Sequence, residues 1–213
     1  MRFPAIVTAL IGALTSIPGP AWGQRTEDPL RSGGGPFGAM QMILEKTFLR
    51  VDVLTLEVRV DRPTAERIRS FAEGKRFSEE LADSVTAAVL GARDVFARIR
   101  FLRNVSSDQF VDGVTESMET AVKAGLLEQT AFDQIAPKLP IWYSFLDSRG
   151  IRIGDEQVYR VSANSLRTTF TDNRGSVLFD QTDVGPAGPR AVLASYFAPR
   201  SDFRRPLVRS MVR

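Results

Sequence analysis

The spacing of apolar and polar residues changes character near Asn104, and the rest of the chain has to fit that change. Before it, Ala97, Ile99 and Phe101 alternate with Arg98 and Arg100, the period of two expected of a strand with one wet face. After it, Phe110, Val111, Val114, Met118, Ala121 and Val122 fall at helical spacing, with Asp108, Asp112, Glu116, Glu119 and Lys123 on the other side. Ser106 or Ser107 can cap the start, Asp108 complements the helix dipole there, and Gly125 closes the end. The pattern predicts a strand that lays a helix, residues 107–124, back across its own sheet. Ser117 is out of place. It lies seven positions after Phe110, on the apolar stripe, where a hydroxyl needs a partner or a ligand.

Upstream, residues 40–45 and 48–60 read as two strands joined by a turn near Lys46. In the second, Leu54, Leu56, Val58 and Val60 alternate with Thr55, Glu57 and Arg59, and the alternation slips by one near Val53, the mark of a bulge. Asp52 stands just before the slip; it either faces solvent or aims a carboxylate into the protein. Two helices follow. Residues 61–74 carry Asp61 as a cap, Pro63 in the first turn and Ile68, Phe71 and Ala72 as a stripe; a second runs from Ser78 to about Leu90.

Downstream of the organising helix, residues 126–138 predict another helix, stopped near Pro137 and Pro140. Trp142, Tyr143, Phe145 and Leu146 then read as a core plug between helix and sheet in preference to an aromatic binding box. Residues 157–163, 166–171 and 177–179 form a meander with a turn at Asp172-Asn173-Arg174-Gly175. Residues 189–198 make a helix with Leu193, Tyr196 and Phe197 as buried candidates, and Asp202 opens a last short one. Its Arg204, Arg205, Arg209 and Arg213 read as a solvated face rather than a site for an acidic surface.

Composition adds limits. Arg2 precedes an apolar run to Ile17, and Ala21-Trp22-Gly23 offers small residues for cleavage. Residues 1–23 therefore read as a signal peptide, with an uncleaved anchor as the alternative, and the protein as exported, periplasmic or secreted. Residues 24–38 are polar, with Gly33-Gly34-Gly35-Pro36 at their centre. They read as a flexible lead-in rather than a phosphate loop, which needs a preceding strand and a following helix with a lysine. Residues 39–213 form a single domain. Arg2 is the one charged residue of the leader, so the remainder balances 27 basic against 25 acidic side chains, interspersed, and offers no field for nucleic acid. The absence of cysteine excludes disulfides and thiol chemistry, and the absence of histidine argues against Ser-His-Asp hydrolases and the usual zinc sites. No metal or cofactor is expected.

The order of elements predicts an α+β fold, an antiparallel β-sheet with helices packed on one face. Phe101-Leu102-Arg103-Asn104-Val105-Ser106 leading into the helix, Gly154-Asp155 before the meander, and Leu193-Ala194-Ser195-Tyr196-Phe197 near the end resemble the chalcone isomerase-like family in its bacterial exported form. The resemblance covers roughly residues 40–212, interrupted around residues 75–92. It implies an open-faced β-sandwich with a cleft between sheet and helices. In the plant enzymes that cleft holds a flavonoid whose nucleophilic oxygen is bound by a strand arginine, and related non-catalytic members hold fatty acids there. Carried onto this chain, the arginine's place falls at or near Met40, a strand threonine becomes Asp52, and a helix tyrosine and asparagine become Phe110 and Ser117. Only the hydroxyl of the C-terminal helix is kept, as Ser195.

Loss of the cationic oxyanion partner argues against chalcone isomerase activity. The leading expectation is therefore a non-catalytic exported protein that binds an apolar small molecule, such as a lipid, with Phe110, Val114 and Ser117 on one wall and Met40, Asp52 and Ser195 as further cleft candidates. The alternative is a structural or partner-binding module with a closed core, in which Ser117 bonds back to the carbonyl of Gly113. A third is an isomerase or lyase with altered chemistry, using Asp52 as base.

Overall fold

The computed structural model describes residues 39–45 and 52–212. The segments expected to be a signal peptide and a lead-in, the turn expected near Lys46, the strand expected at residues 48–51 and Arg213 lie outside the described residues. Six strands, β1 (Ala39–Glu45), β2 (Asp52–Val60), β3 (Asp94–Phe101), β4 (Glu156–Ser162), β5 (Ser165–Thr171) and β6 (Val177–Val184), pair in chain order and antiparallel throughout. The slip near Val53 is a bulge. Leu44 lies opposite Leu54 and Glu45 opposite Asp52, which leaves Val53 as the extra residue.

Strand parity sorts the two faces. Leu56, Val58, Val60, Val95, Ala97, Ile99 and Phe101 are buried on the inner face, while Arg98 and Arg100 lie on the outer one. Phe96 and Val158 share that outer parity and are nevertheless fully buried. The guanidinium groups of Arg98 and Arg160 lie 5.4 and 5.8 Å from the centre of the Phe96 ring, so long cationic side chains roof an apolar patch.

The helices gather over the inner face. Helix α1 (Arg62–Ala72) begins at Asp61, whose Oδ1 accepts from the Thr64 N–H and whose Oδ2 accepts from the N–H of Arg93, which ties the helix start to the entry of β3. Helix α2 (Glu79–Leu90) is capped by Ser78. Helix α3 (Ser107–Lys123) starts on a full capping box, Ser106 and Gln109 each bonding the other's backbone N–H.

The helix expected at residues 126–138 starts three residues later and ends, as expected, near Pro137. Helix α4 (Gln129–Ile135) ends before a tight turn at Ala136–Lys138, and α5 (Leu139–Trp142) restarts with Pro140 in its first turn. Pro137 cannot supply the amide that would carry one helix through, whereas Pro140 sits where no such amide is required. Helix α6 (Ala187–Phe197) packs on α3 and β5, and α7 (Arg204–Arg209) covers β1.

The solvated arginine face expected on α7 needs correction at Arg204. Its side chain is only 3% exposed and bonds Glu79 Oε2 at 2.8 Å, Asp83 Oδ1 at 2.5 Å and the Thr86 hydroxyl. It is a clamp between α7 and α2, because a cation this deep needs partners.

Asp155 is a second clamp. Fully buried, it accepts from both terminal nitrogens of Arg149 (2.8 and 3.2 Å) and from the N–H groups of Arg152 and Asn173. It joins the run-in to β4 to the β5–β6 turn. Gly154 beside it has φ +85°, and a Cβ there would lie 3.1 Å from Asn173 Cβ, so backbone conformation and close approach both call for glycine.

Candidate functional site

The apolar stripe of α3 is not fully used by the core. Met118 and Ala121 are buried, but Phe110, Val111, Val114 and Val122 remain half-buried. Between the N-terminal half of this stripe and the sheet lies a cavity of about 720 Å³. Its floor is the inner face of the sheet, with Ile99, Phe101, Tyr159 and Thr168; α3 and α6 form two walls, and Trp142 and Tyr143 a third. Charged residues of both signs, Asp112, Glu116, Lys138, Arg200 and Asp202, sit at exposed positions around it.

Four of the residues singled out in the sequence, Phe110, Val114, Ser117 and Ser195, line this cavity. Met40 does not. It pairs with Val58 on the outermost described strand, fully buried in the hydrophobic core. The side chain of Asp52 lies outside the described residues. The two hydroxyls face inward at no polar cost, because each donates to its own helix: Ser117 Oγ to the Gly113 carbonyl at 2.8 Å, and Ser195 Oγ to the Ala191 carbonyl at 2.7 Å. Such back-bonding satisfies a serine on an apolar face without a ligand. Neither serine is therefore a strong polar point.

Stronger polar points come from residues the sequence pattern did not single out. Gln157, on the inner face of β4, is fully buried; its Nε2 donates to Tyr143 Oη at 2.7 Å, and Tyr143 Oη lies 3.4 Å from Tyr159 Oη. Burial pushes the Tyr143 phenol up, and burial followed by the neighbouring Tyr143 and Tyr196 hydroxyls pushes Tyr159 well above its ordinary value. Both phenols stay protonated at physiological pH, so the cluster is neutral and offers no general base. Gln157 Oε1 is buried without a hydrogen-bond partner among the described residues. At the β3–α3 turn Arg103 lines the same cavity, half-buried, its Nε likewise unpartnered among the described residues.

The signal for Gln157 was present in the sequence. It stands two residues before Tyr159 and four before Val161, a polar residue at inward parity, by the same logic that exposed Ser117. The group Trp142 to Leu146 divides: Leu146 is a core plug, while Tyr143 and Trp142 face the cavity. Phe145 stacks on Phe179 at 5.4 Å behind them. Among the described residues no group of His, Cys, Asp and Glu could hold a metal ion, and no helix is long and apolar enough to cross a membrane.

No protein-family model matches the sequence, and no curated protein matches it. Among solved structures, the chain is similar to the crystal structure of a fatty-acid binding protein of Arabidopsis thaliana. The TM-score is 0.50 at 12% identity, over 82% of this chain and 85% of that one. The likeness is one of fold: an α+β architecture, an antiparallel open sheet with helices on one face, of the chalcone isomerase-like kind.

Proposed function

We propose that this protein is an exported, non-catalytic member of the chalcone isomerase-like group that binds an apolar small molecule between its sheet and α3. The observation that carries the reading is the unfinished burial of α3. A stripe that includes Phe110 and Val114 is half-buried against open space of about 720 Å³, a volume within the range of about 300–1,000 Å³ typical of small-molecule sites. Leaving such side chains short of contacts forfeits stability that a ligand would restore. The similar fold of a fatty-acid binding protein agrees with an elongated apolar occupant. The non-catalytic reading is supported by two serines bonded within their helices and by neutral phenols on the wall, and, away from it, by a buried methionine, Met40, at or near the place that the resemblance gives to the family's arginine. Export rests on the leader-like segment at residues 1–23.

The closed-core alternative is favoured by one observation, the Ser117 to Gly113 hydrogen bond. It leaves the half-buried stripe unexplained. The test is native mass spectrometry of the protein purified from its own host, followed by extraction of any bound molecule. The expected result is a stoichiometric apolar compound that is lost in Ser117→Leu. A chain that comes out empty, and that binds no apolar fluorescent probe, would sink the proposal.

A further inference from the structure

We infer that Gln157 is the polar anchor of this cavity, and that it takes a neutral hydrogen-bond donor, the hydroxyl of a long-chain alcohol, rather than an ionised carboxylate. The inference rests on the binding reading above and names the chemistry of the ligand's head.

Gln157 lies on the inner face of β4 between Ile99 of β3 and Phe170 of β5, and is wholly shielded from solvent. Its amide is half used. Nε2 donates to Tyr143 Oη, while Oε1 has no partner among the described residues, on a side chain that lines the cavity. A buried amide oxygen left unpaired is costly, and structures rarely keep one without a use. Oε1 only accepts, so the group that completes it must donate.

Charge narrows the class. The side chains in hydrogen-bond contact around Gln157 are the phenols of Tyr143 and Tyr159, which stay protonated, and no cation is bonded to the cluster among the described residues. An ionised carboxylate placed there would set its charge against a carbonyl oxygen in a desolvated wall with no positive partner. A hydroxyl donates to Oε1 and carries no charge to strip of water. Arg103, at the β3–α3 turn, is the competing anchor and would prefer the carboxylate.

The experiment is displacement of N-phenylnaphthylamine from the full chain by three probes: dodecanol, its isomer methyl undecyl ether, and dodecanoate at about pH 8, where the acid is ionised. The ether matches the alcohol in size but has no donor. In Gln157→Met the preference for dodecanol over the ether, each corrected for the naphthylamine's own affinity in that variant, falls about tenfold. In Tyr143→Phe, which keeps Oε1, the preference survives. A merely structural role for Gln157 would weaken both ligands together and leave their ratio unmoved.

Should Gln157→Met fail to fold, intermolecular NOEs from dodecanol labelled with carbon-13 at the carbinol decide on the wild-type chain. The expected contacts are to Tyr143. An unchanged ratio in Gln157→Met, carbinol contacts to Arg103, or dodecanoate binding more tightly than dodecanol and losing that affinity in Arg103→Gln would each overturn the inference. If the wild-type chain binds none of the compounds, the binding reading itself fails and takes the inference with it. A chain that binds them without regard to Gln157 sinks the inference alone.

Discussion

Gly113 offers a direct test of whether the space beneath α3 is real. It stands in the helical run of α3 on the cavity wall, and a Cβ added there meets no atom within 4 Å. A glycine inside a helix costs about 0.5–1 kcal/mol relative to alanine, chiefly because it surrenders more backbone freedom on folding. Nothing opposes that gain here. Gly113→Ala should therefore stabilise the protein by about 0.5–1 kcal/mol, or about 1–4 °C in Tm for a domain of this size. Urea denaturation at unchanged m-value measures it. Gly113→Phe carries the same logic further: the ring enters the cavity, the fold is kept, and an apolar fluorescent probe is excluded. In a filled core the signs reverse, since a methyl inserted into packed atoms costs about 1–3 kcal/mol. A destabilised Gly113→Ala, or a Gly113→Phe that binds the probe like wild type, would refute the open cavity.

Two further predictions concern the frame that holds the cavity. Asp155→Ala strips Arg149, whose side chain is only 18% exposed, of its carboxylate and leaves the N–H groups of Arg152 and Asn173 without their acceptor. The expected loss is about 3–5 kcal/mol in urea denaturation, and a loss below about 1 kcal/mol would show that water or another group takes over. For Asp61, burial pushes the carboxyl up, but the N–H groups of Thr64, Asp94 and Arg93 outweigh it and hold it below its ordinary value. A carboxyl lowered by folding contributes stability that is complete above the unfolded value of about 3.9 and is lost as pH falls through the lower folded value. Asp61→Ala should cost about 1 kcal/mol at neutral pH, with a smaller difference from wild type at about pH 2; an equal gap at both pH values would contradict the assignment.

How much of this was legible depended on whether a signal is local. The strand-to-helix unit from β3 to α3, the Asp61 cap and the Val53 bulge follow from period, capping chemistry and parity within a few residues of each other. The burial of Arg204 was not legible, because its partners Glu79 and Asp83 lie more than a hundred positions away and an arginine in a basic C-terminal run reads as solvated. The helix expected at residues 126–138 was legible at its end, where Pro137 stops α4 as its missing amide requires, and less so at its start, which falls at Gln129. At the site, Ser117 was found because it interrupts a stripe, yet its bond to Gly113 makes it the weakest of the polar groups on the wall. Gln157 interrupts a strand in the same way but less visibly, since period two over a short strand gives fewer apolar neighbours against which a polar residue stands out.

The distribution of such interruptions explains why a cavity lies where it does. On β2 and β3 the inward positions Leu54, Leu56, Val58, Val60, Val95, Ala97, Ile99 and Phe101 are uniformly apolar and buried. On β4 to β6 the inward positions include Gln157, Tyr159, Thr168, Gln181 and Asp183, and every one of these lines the cavity. A helix laid on the first half of the sheet can close to full contact, because nothing polar is desolvated by doing so. Over the second half the same closure would bury amides, hydroxyls and a carboxylate against apolar helix faces, each at a cost unless paired. Gln181 Nε2 meets that cost for Asp183 at 2.8 Å, and Tyr143 meets half of it for Gln157. Of these inward side chains, Gln157 keeps an oxygen without a partner among the described residues. The polar inward residues gathered on one half of the sheet therefore oppose closure of α3 there, although the space extends over Ile99 and Phe101 as well, and they set the Gln157 acceptor among the polar groups of that wall.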